Sequence, residues 1–151
     1  MSSLLKLFIW VVTLAFFVAK VEIQIEGKDG WAKNLPTWRY KNWLTRIFLG
    51  DLEITGYHLW MFSLILFLLH FPFVLDNYWN LNIELKILAI FLFFIIIEDF
   101  LWFVLNPAFG LRKFKPKYIP WHKDWTGGLI PTSYLKSITV GIALLILSLL
   151  F

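Results

Sequence analysis

Apolar residues run from Leu4 to Ala19 almost without interruption, and Val21, Ile23 and Ile25 extend the pattern. Similar runs occupy about 54–75, 83–105 and 134–151, each close to the length needed to cross roughly 30 Å of hydrocarbon as a helix. The expectation is an all-α integral membrane four-helix bundle, one domain over 1–151, with spans at about 4–25, 54–75, 83–105 and 134–151. The first run ends Phe16-Phe17-Val18-Ala19-Lys20 rather than in a small-x-small cleavage pattern, so it reads as a retained span. Its exit, Val21-Glu22-Ile23-Gln24-Ile25-Glu26, alternates like a strand. In a helix Glu22 and Glu26 still meet, four positions apart.

Between the first two spans, Gly27-Lys28-Asp29-Gly30 signals a turn. Tyr40, Trp43, Leu44, Ile47 and Phe48 then recur at helical spacing opposite Arg39, Asn42 and Arg46. That predicts an amphipathic helix over about 38–49 lying in the membrane interface, capped by Thr37 and stopped by Gly50. Asn106-Pro107 ends the third span, because a residue before proline avoids the helical region. Thr132 or Ser133 is placed to cap the fourth.

Composition agrees with this pattern. Hydrophobic residues make up 60 % of the chain and charged ones 16 %, against about a quarter charged in soluble domains. A chain of this size has too much surface to hide that much apolar side chain within itself. Cysteine is absent, which removes disulfides, thiolate nucleophiles and sulfur-ligated metals. The basic residues do not form the aromatic-interleaved stripe of a nucleic-acid surface, so membrane lipid is the partner class and nucleic acid is not. A homo-oligomer or a larger membrane complex stays open.

Lysine and arginine set the orientation. Lys28, Lys33, Arg39, Lys41 and Arg46 occupy the first loop, and Arg112, Lys113, Lys115, Lys117 and Lys123 the third. The positive-inside rule then places loops 1 and 3 in the cytoplasm of a prokaryotic cell membrane and both termini outside.

Glu98-Asp99 lies within an otherwise apolar span, where even one carboxylate costs about 2.5–3.5 kcal/mol at the centre. The same orientation gathers Glu22, Glu26, His58, Glu98, Asp99 and His122 at the cytoplasmic end of the bundle. Two histidines with several carboxylates and no thiol suit a divalent zinc, iron or manganese, or proton transfer to and from a substrate. Glu98, Asp99, His58 and His122 are the candidate catalytic residues, and the same four with Glu22 and Glu26 the candidate metal ligands. A haem held by His58 and His122 is a minor option. Trp102 and Asn106 follow Glu98 at one-turn intervals and are the candidate pocket wall. Trp31, Trp38, Trp43, Trp121 and Trp125 read as a cytoplasmic-side aromatic belt, and His70 belongs to the opposite end.

The strings Glu26-Gly-Lys-Asp-Gly-Trp-Ala-Lys-Asn-Leu-Pro-Thr-Trp-Arg39, Gly56-Tyr-His-Leu-Trp60, Glu98-Asp-Phe-Leu-Trp-Phe-Val-Leu-Asn-Pro107 and Trp121-His-Lys-Asp-Trp125 resemble a family of small prokaryotic integral membrane proteins. That resemblance implies no activity. A four-span bundle with intramembrane His and Glu is also similar to emopamil-binding-type sterol isomerases, and no site residue is carried over from that resemblance. From the residues, the expected function is a membrane enzyme acting on a lipid or other amphiphile through a cytoplasm-facing His/carboxylate site. The alternative is a non-enzymatic membrane protein, either a subunit of a larger complex or an ion- or proton-coupled carrier.

Overall fold

A computed structural model describes residues 3–43, 53–76 and 78–151. The chain is mostly helical. In order, the helices are α1 (Ser3–Glu26), α2 (Gly56–Leu69), α3 (Phe71–Asp76), α4 (Leu81–Leu105) and α5 (Thr132–Ser148). Two short antiparallel pairs accompany them: β1 (Arg39–Tyr40) with β2 (Ile54–Thr55), and β3 (Trp125–Thr126) with β4 (Ile130–Pro131). Among the described residues two helices, over Leu5–Glu26 and Leu81–Leu105, are long and apolar enough to cross a membrane. Helices α2 and α5 are apolar but shorter.

Helix α4 is central, with α1 packed along one side and α5 along another, while α2 meets α4 much less extensively. The buried face of α1 is a four-residue repeat, Val11, Ala15 and Ala19, that leads to Glu22 and Ile23. Ala15 and Ala19 are fully buried, and small side chains are what let two membrane helices approach closely. Phe94 of α4 packs against Val11 and Ala15, and Trp102 and Phe103 against Ala19 and Ile23. On α5 the buried positions Tyr134, Gly141 and Ser148 recur every seven residues. At Gly141 a Cβ would lie 2.8 Å from Cε1 of Phe93. Gly141→Leu is therefore expected to cost about 1–3 kcal/mol through overpacking. Thermal unfolding in detergent should register that loss, with Ile142→Leu on the exposed side as the silent control; an unchanged melting temperature for Gly141→Leu would mean that α4 and α5 are not in close contact.

Three expectations are revised. The apolar run at 54–75 is not one helix. It opens as strand β2, is helical over α2, breaks at His70 and resumes as α3. Pro72 explains the break, since it has no N–H to donate and its ring clashes with the carbonyl four residues earlier. The amphipathic helix expected over 38–49 does not begin at 38: Arg39 and Tyr40 are in β1, opposite Thr55 and Ile54. Trp43 is helical, and residues 44–49 of that element lie outside the described residues. Third, the expected caps are reassigned. The Thr37 hydroxyl accepts from Tyr57 N at 2.9 Å and so serves α2, and the N-cap position of α5 is Pro131 rather than Thr132 or Ser133.

Candidate metal and acid–base site

The end of α1 is helical throughout, so the strand-like alternation of 21–26 does not decide its conformation. Glu22 and Glu26 consequently lie one turn apart on the face turned inward. Opposite them His58 projects from the first turn of α2, with its Nε2 3.4 Å from Oε1 of Glu22 and 3.4 Å from Oε1 of Glu26. The three side chains are only 5 %, 3 % and 6 % exposed, in that order, which removes water as a general partner for their charges. Their ligand atoms lie within 4.8 Å of one another. A separation of 3.4 Å exceeds an ordinary hydrogen bond. It matches the edge of a tetrahedron of ligands at about 2.1 Å from a zinc-like ion, which is roughly 3.4 Å.

Thr55 fixes the imidazole. As N-cap of α2 its hydroxyl accepts from His58 N at 3.2 Å and lies 2.7 Å from His58 Nδ1. A hydroxyl serves either tautomer. With Nδ1–H donating to Thr55, Nε2 presents its lone pair to the two carboxylates' side, as a histidine ligand needs. Gly56 makes this arrangement buildable, because a Cβ there would lie 2.6 Å from Nε1 of Trp38.

The loop after α1 covers the cluster. Ala32 N donates to Oε1 of Glu26, and the Trp31 indole stacks on the His58 ring with centroids 4.3 Å apart at 23°. Trp31 and Ala32 have φ of +49° and +50°, a left-handed pair that costs non-glycine residues about 1–2 kcal/mol each. Backbone strain of this kind persists only where its surroundings hold it.

Glu98 completes the cluster. On α4 it shares a face with Phe94 and Trp102, which pack on α1, so its carboxyl meets that of Glu22. Glu98 is 2 % exposed, and its Oε1, like Oε1 of Glu22, has no hydrogen-bond partner among the described residues. Two carboxylates in contact are both acceptors unless a proton or a cation lies between them. The Tyr57 hydroxyl borders the same carboxylates. His58 also lines a cleft of about 260 Å³ between α2 and α4, whose wall includes Trp31, Phe62, Ser63, Phe91 and Ile95.

The expected single convergence of six residues is not what the structure places here. Neighbouring helix positions point about 100° apart. Asp99 therefore faces α5 and loop 3: it accepts from His122 Nε2 at 3.0 Å and from the Tyr134 hydroxyl. Among the described residues, the group with metal-ligand spacing is Glu22, Glu26 and His58, without Asp99, His122 or Glu98. The bis-histidine haem geometry finds no counterpart, since His122 is engaged with Asp99 and His58 with Glu22 and Glu26. Trp102 and Asn106 do not line the cleft beside His58. Trp102 packs edge-on against Phe103 and Trp121, and Asn106 ties α4 to the end of α1 by donating to Gly27 O at 2.8 Å. Of the expected belt, Trp38 and Trp43 are exposed, while Trp31 is on His58 and Trp121 packs on Phe103. His70 pairs with Glu84, near the start of α4 and far along that helix from Glu98.

Sequence reading missed Thr55, Ala32, Tyr57 and Tyr134, and placed Trp31 in an aromatic belt rather than on His58. Thr55 carried a local signal, since a threonine before an apolar helical run is a recognised cap. The others depend on long-range contact. No family model matches the chain, and no curated protein and no solved structure matches it either.

Proposed function

We propose that this protein is a membrane enzyme that acts on a lipid or other amphiphile through the His/carboxylate cluster at the end of α1. The observation that carries the reading is a buried Glu22–Glu26–His58 group, with the unpartnered Glu98 oxygen beside it, whose His58 lines an apolar cleft. Burying several carboxylates together is unfavourable by mutual repulsion and desolvation, and a divalent cation offsets both. Nitrogen and oxygen donors without thiolate suit zinc, iron or manganese. In this reading Glu22, Glu26 and His58 hold the cation, which supplies Lewis-acid polarisation. Glu98 exchanges a proton with the reacting group, and the cleft takes hydrocarbon.

The membrane setting rests on α1 and α4 together with outward-facing Trp10, Phe17, Trp60, Phe67 and Ile146, all large and exposed. Large apolar side chains exposed in this number are what a lipid-facing surface presents. The broken 56–76 segment and α5 would complete a four-span arrangement with both termini outside and the cluster on the cytoplasmic side, as the basic loops require.

Polar lipid extract incubated with zinc-, iron- or manganese-loaded protein tests the enzyme reading. Mass spectrometry should record one lipid class converted by the loaded wild type, and no conversion by chelator-treated protein or Glu98→Gln. If every class is unchanged while one cation is bound per chain, the enzyme reading fails and a carrier or complex subunit takes its place.

A further inference from the structure

We propose that Arg39 is a positioning residue for the Glu22–Glu26–His58 centre, acting through the Trp31–Ala32 turn; the inference rests on the cation-binding part of the function proposed above. The left-handed Trp31–Ala32 pair touches the centre twice, through Ala32 N on Glu26 and through the Trp31 indole on His58. Something must hold two consecutive non-glycine residues in that conformation. The Arg39 guanidinium does so by donating from Nη2 to Ala32 O at 2.5 Å, with Nη1 facing Trp31 O at 3.5 Å, a distance longer than an ordinary hydrogen bond. The Trp31 indole N–H is fixed in turn on Glu53 O at 2.9 Å.

The backbone of Arg39 reaches the same centre by a second route. In the β1–β2 pair it lies directly opposite Thr55, the residue whose hydroxyl orients the His58 ring. One residue therefore joins the two supports of the site: its main chain is paired with the strand that carries Thr55, and its side chain holds the turn that covers Glu26 and His58. The planar fork of a guanidinium holds Ala32 O with one arm while the other faces Trp31 O, an orientation that a lysine ammonium does not fix. Arg39 itself is exposed and contacts none of the three proposed ligands in the contacts that define this arrangement.

Cobalt(II) binding separates positioning from simple charge. Deleting a positive charge near a cation site strengthens cation binding by Coulomb's law alone. Deleting a support for the ligands weakens it, typically ten- to a hundredfold for outer partners of a metal site. The full chain in detergent should therefore bind cobalt(II) about ten- to a hundredfold more weakly as Arg39→Ala, with an altered visible absorption band. Arg39→Lys should recover only part of the affinity. Adding Ala32→Gly to Arg39→Ala should also recover part, since glycine adopts positive φ without the steric penalty. Should Arg39→Ala not fold, Arg39→Lys carries the comparison, binding cobalt(II) more weakly than wild type. Equal or tighter cobalt binding by the arginine variants, with an unchanged band, overturns the positioning role and leaves the cation site standing. Wild-type protein that takes up no cobalt overturns both.

Discussion

Replacing His58 with alanine is expected to weaken divalent-cation binding by about a hundredfold or more, beyond the ten- to hundredfold typical of losing an outer partner, whereas His122→Ala leaves it unchanged. His58 presents Nε2 to both carboxylates of α1 and is the one nitrogen donor in the group with ligand spacing. His122 is committed to Asp99 instead. Isothermal titration with zinc on matched detergent samples gives the comparison, and circular dichroism checks that both variants keep their helices. Equal losses in the two variants would restore the single shared centre that the sequence suggests. Thr55→Ala belongs between them, since it removes the hydroxyl that orients the ring without removing a ligand.

Asp99→Ala is expected to lower stability by about 3 kcal/mol with little change in cation affinity. Hydrogen bonds to a charged group contribute roughly 1.5–3 kcal/mol each. Asp99 accepts two of them, but its side chain is 25 % exposed, so water replaces part of what is lost. The bonds join α4 to His122 in loop 3 and to Tyr134 at the start of α5, so their loss loosens two connections at once. Chemical unfolding of Asp99→Ala beside Glu98→Gln measures the difference. Glu98→Gln should change cation binding while keeping most of the stability, because the amide retains the shape of the carboxyl. If the two substitutions act alike on both properties, the adjacent carboxylates serve one site rather than two.

That division explains where sequence reasoning succeeded and where it stopped. Glu98 and Asp99 stand out in the sequence because two carboxylates inside an apolar run demand partners; Asp99 has His122 and Tyr134, and the Glu98 oxygen left without one marks the candidate site. The i,i+4 spacing of Glu22 and Glu26 likewise needs only helical geometry, and α1 supplies it to its last residue. Orientation from the basic loops groups residues by depth along the bundle. Rotation about each helix axis is a different variable, and nothing in the local pattern of α4 says that position 98 faces α1 while 99 faces α5. Packing decides that: Ala15 and Ala19 let α1 approach the Phe94–Trp102 face, and Gly141 lets α5 approach near Phe93.

The segment around Arg39 and Tyr40 shows the same limit. Helical spacing of Tyr40 and Trp43 is a local signal, and it is overridden at Arg39–Tyr40 by pairing with Ile54–Thr55, well outside any window used to read periodicity. The Pro72 break, by contrast, was available from covalent chemistry alone, since proline both lacks the donor and crowds the preceding turn. The Trp31–Ala32 turn had no sequence signature, because neither residue type favours positive φ. It exists through Arg39, which holds the Ala32 carbonyl, and Glu26, which holds the Ala32 N–H.

X-ray absorption at the metal edge of zinc-loaded, desalted protein tests the central claim most directly. The account predicts one zinc per chain with a mixed shell of one imidazole nitrogen and carboxylate oxygens at about 2.0–2.2 Å. The imidazole scattering should disappear in His58→Ala and persist in His122→Ala. Zinc that washes out on desalting, or a shell that keeps its imidazole signature without His58, would contradict a cation site built from Glu22, Glu26 and His58.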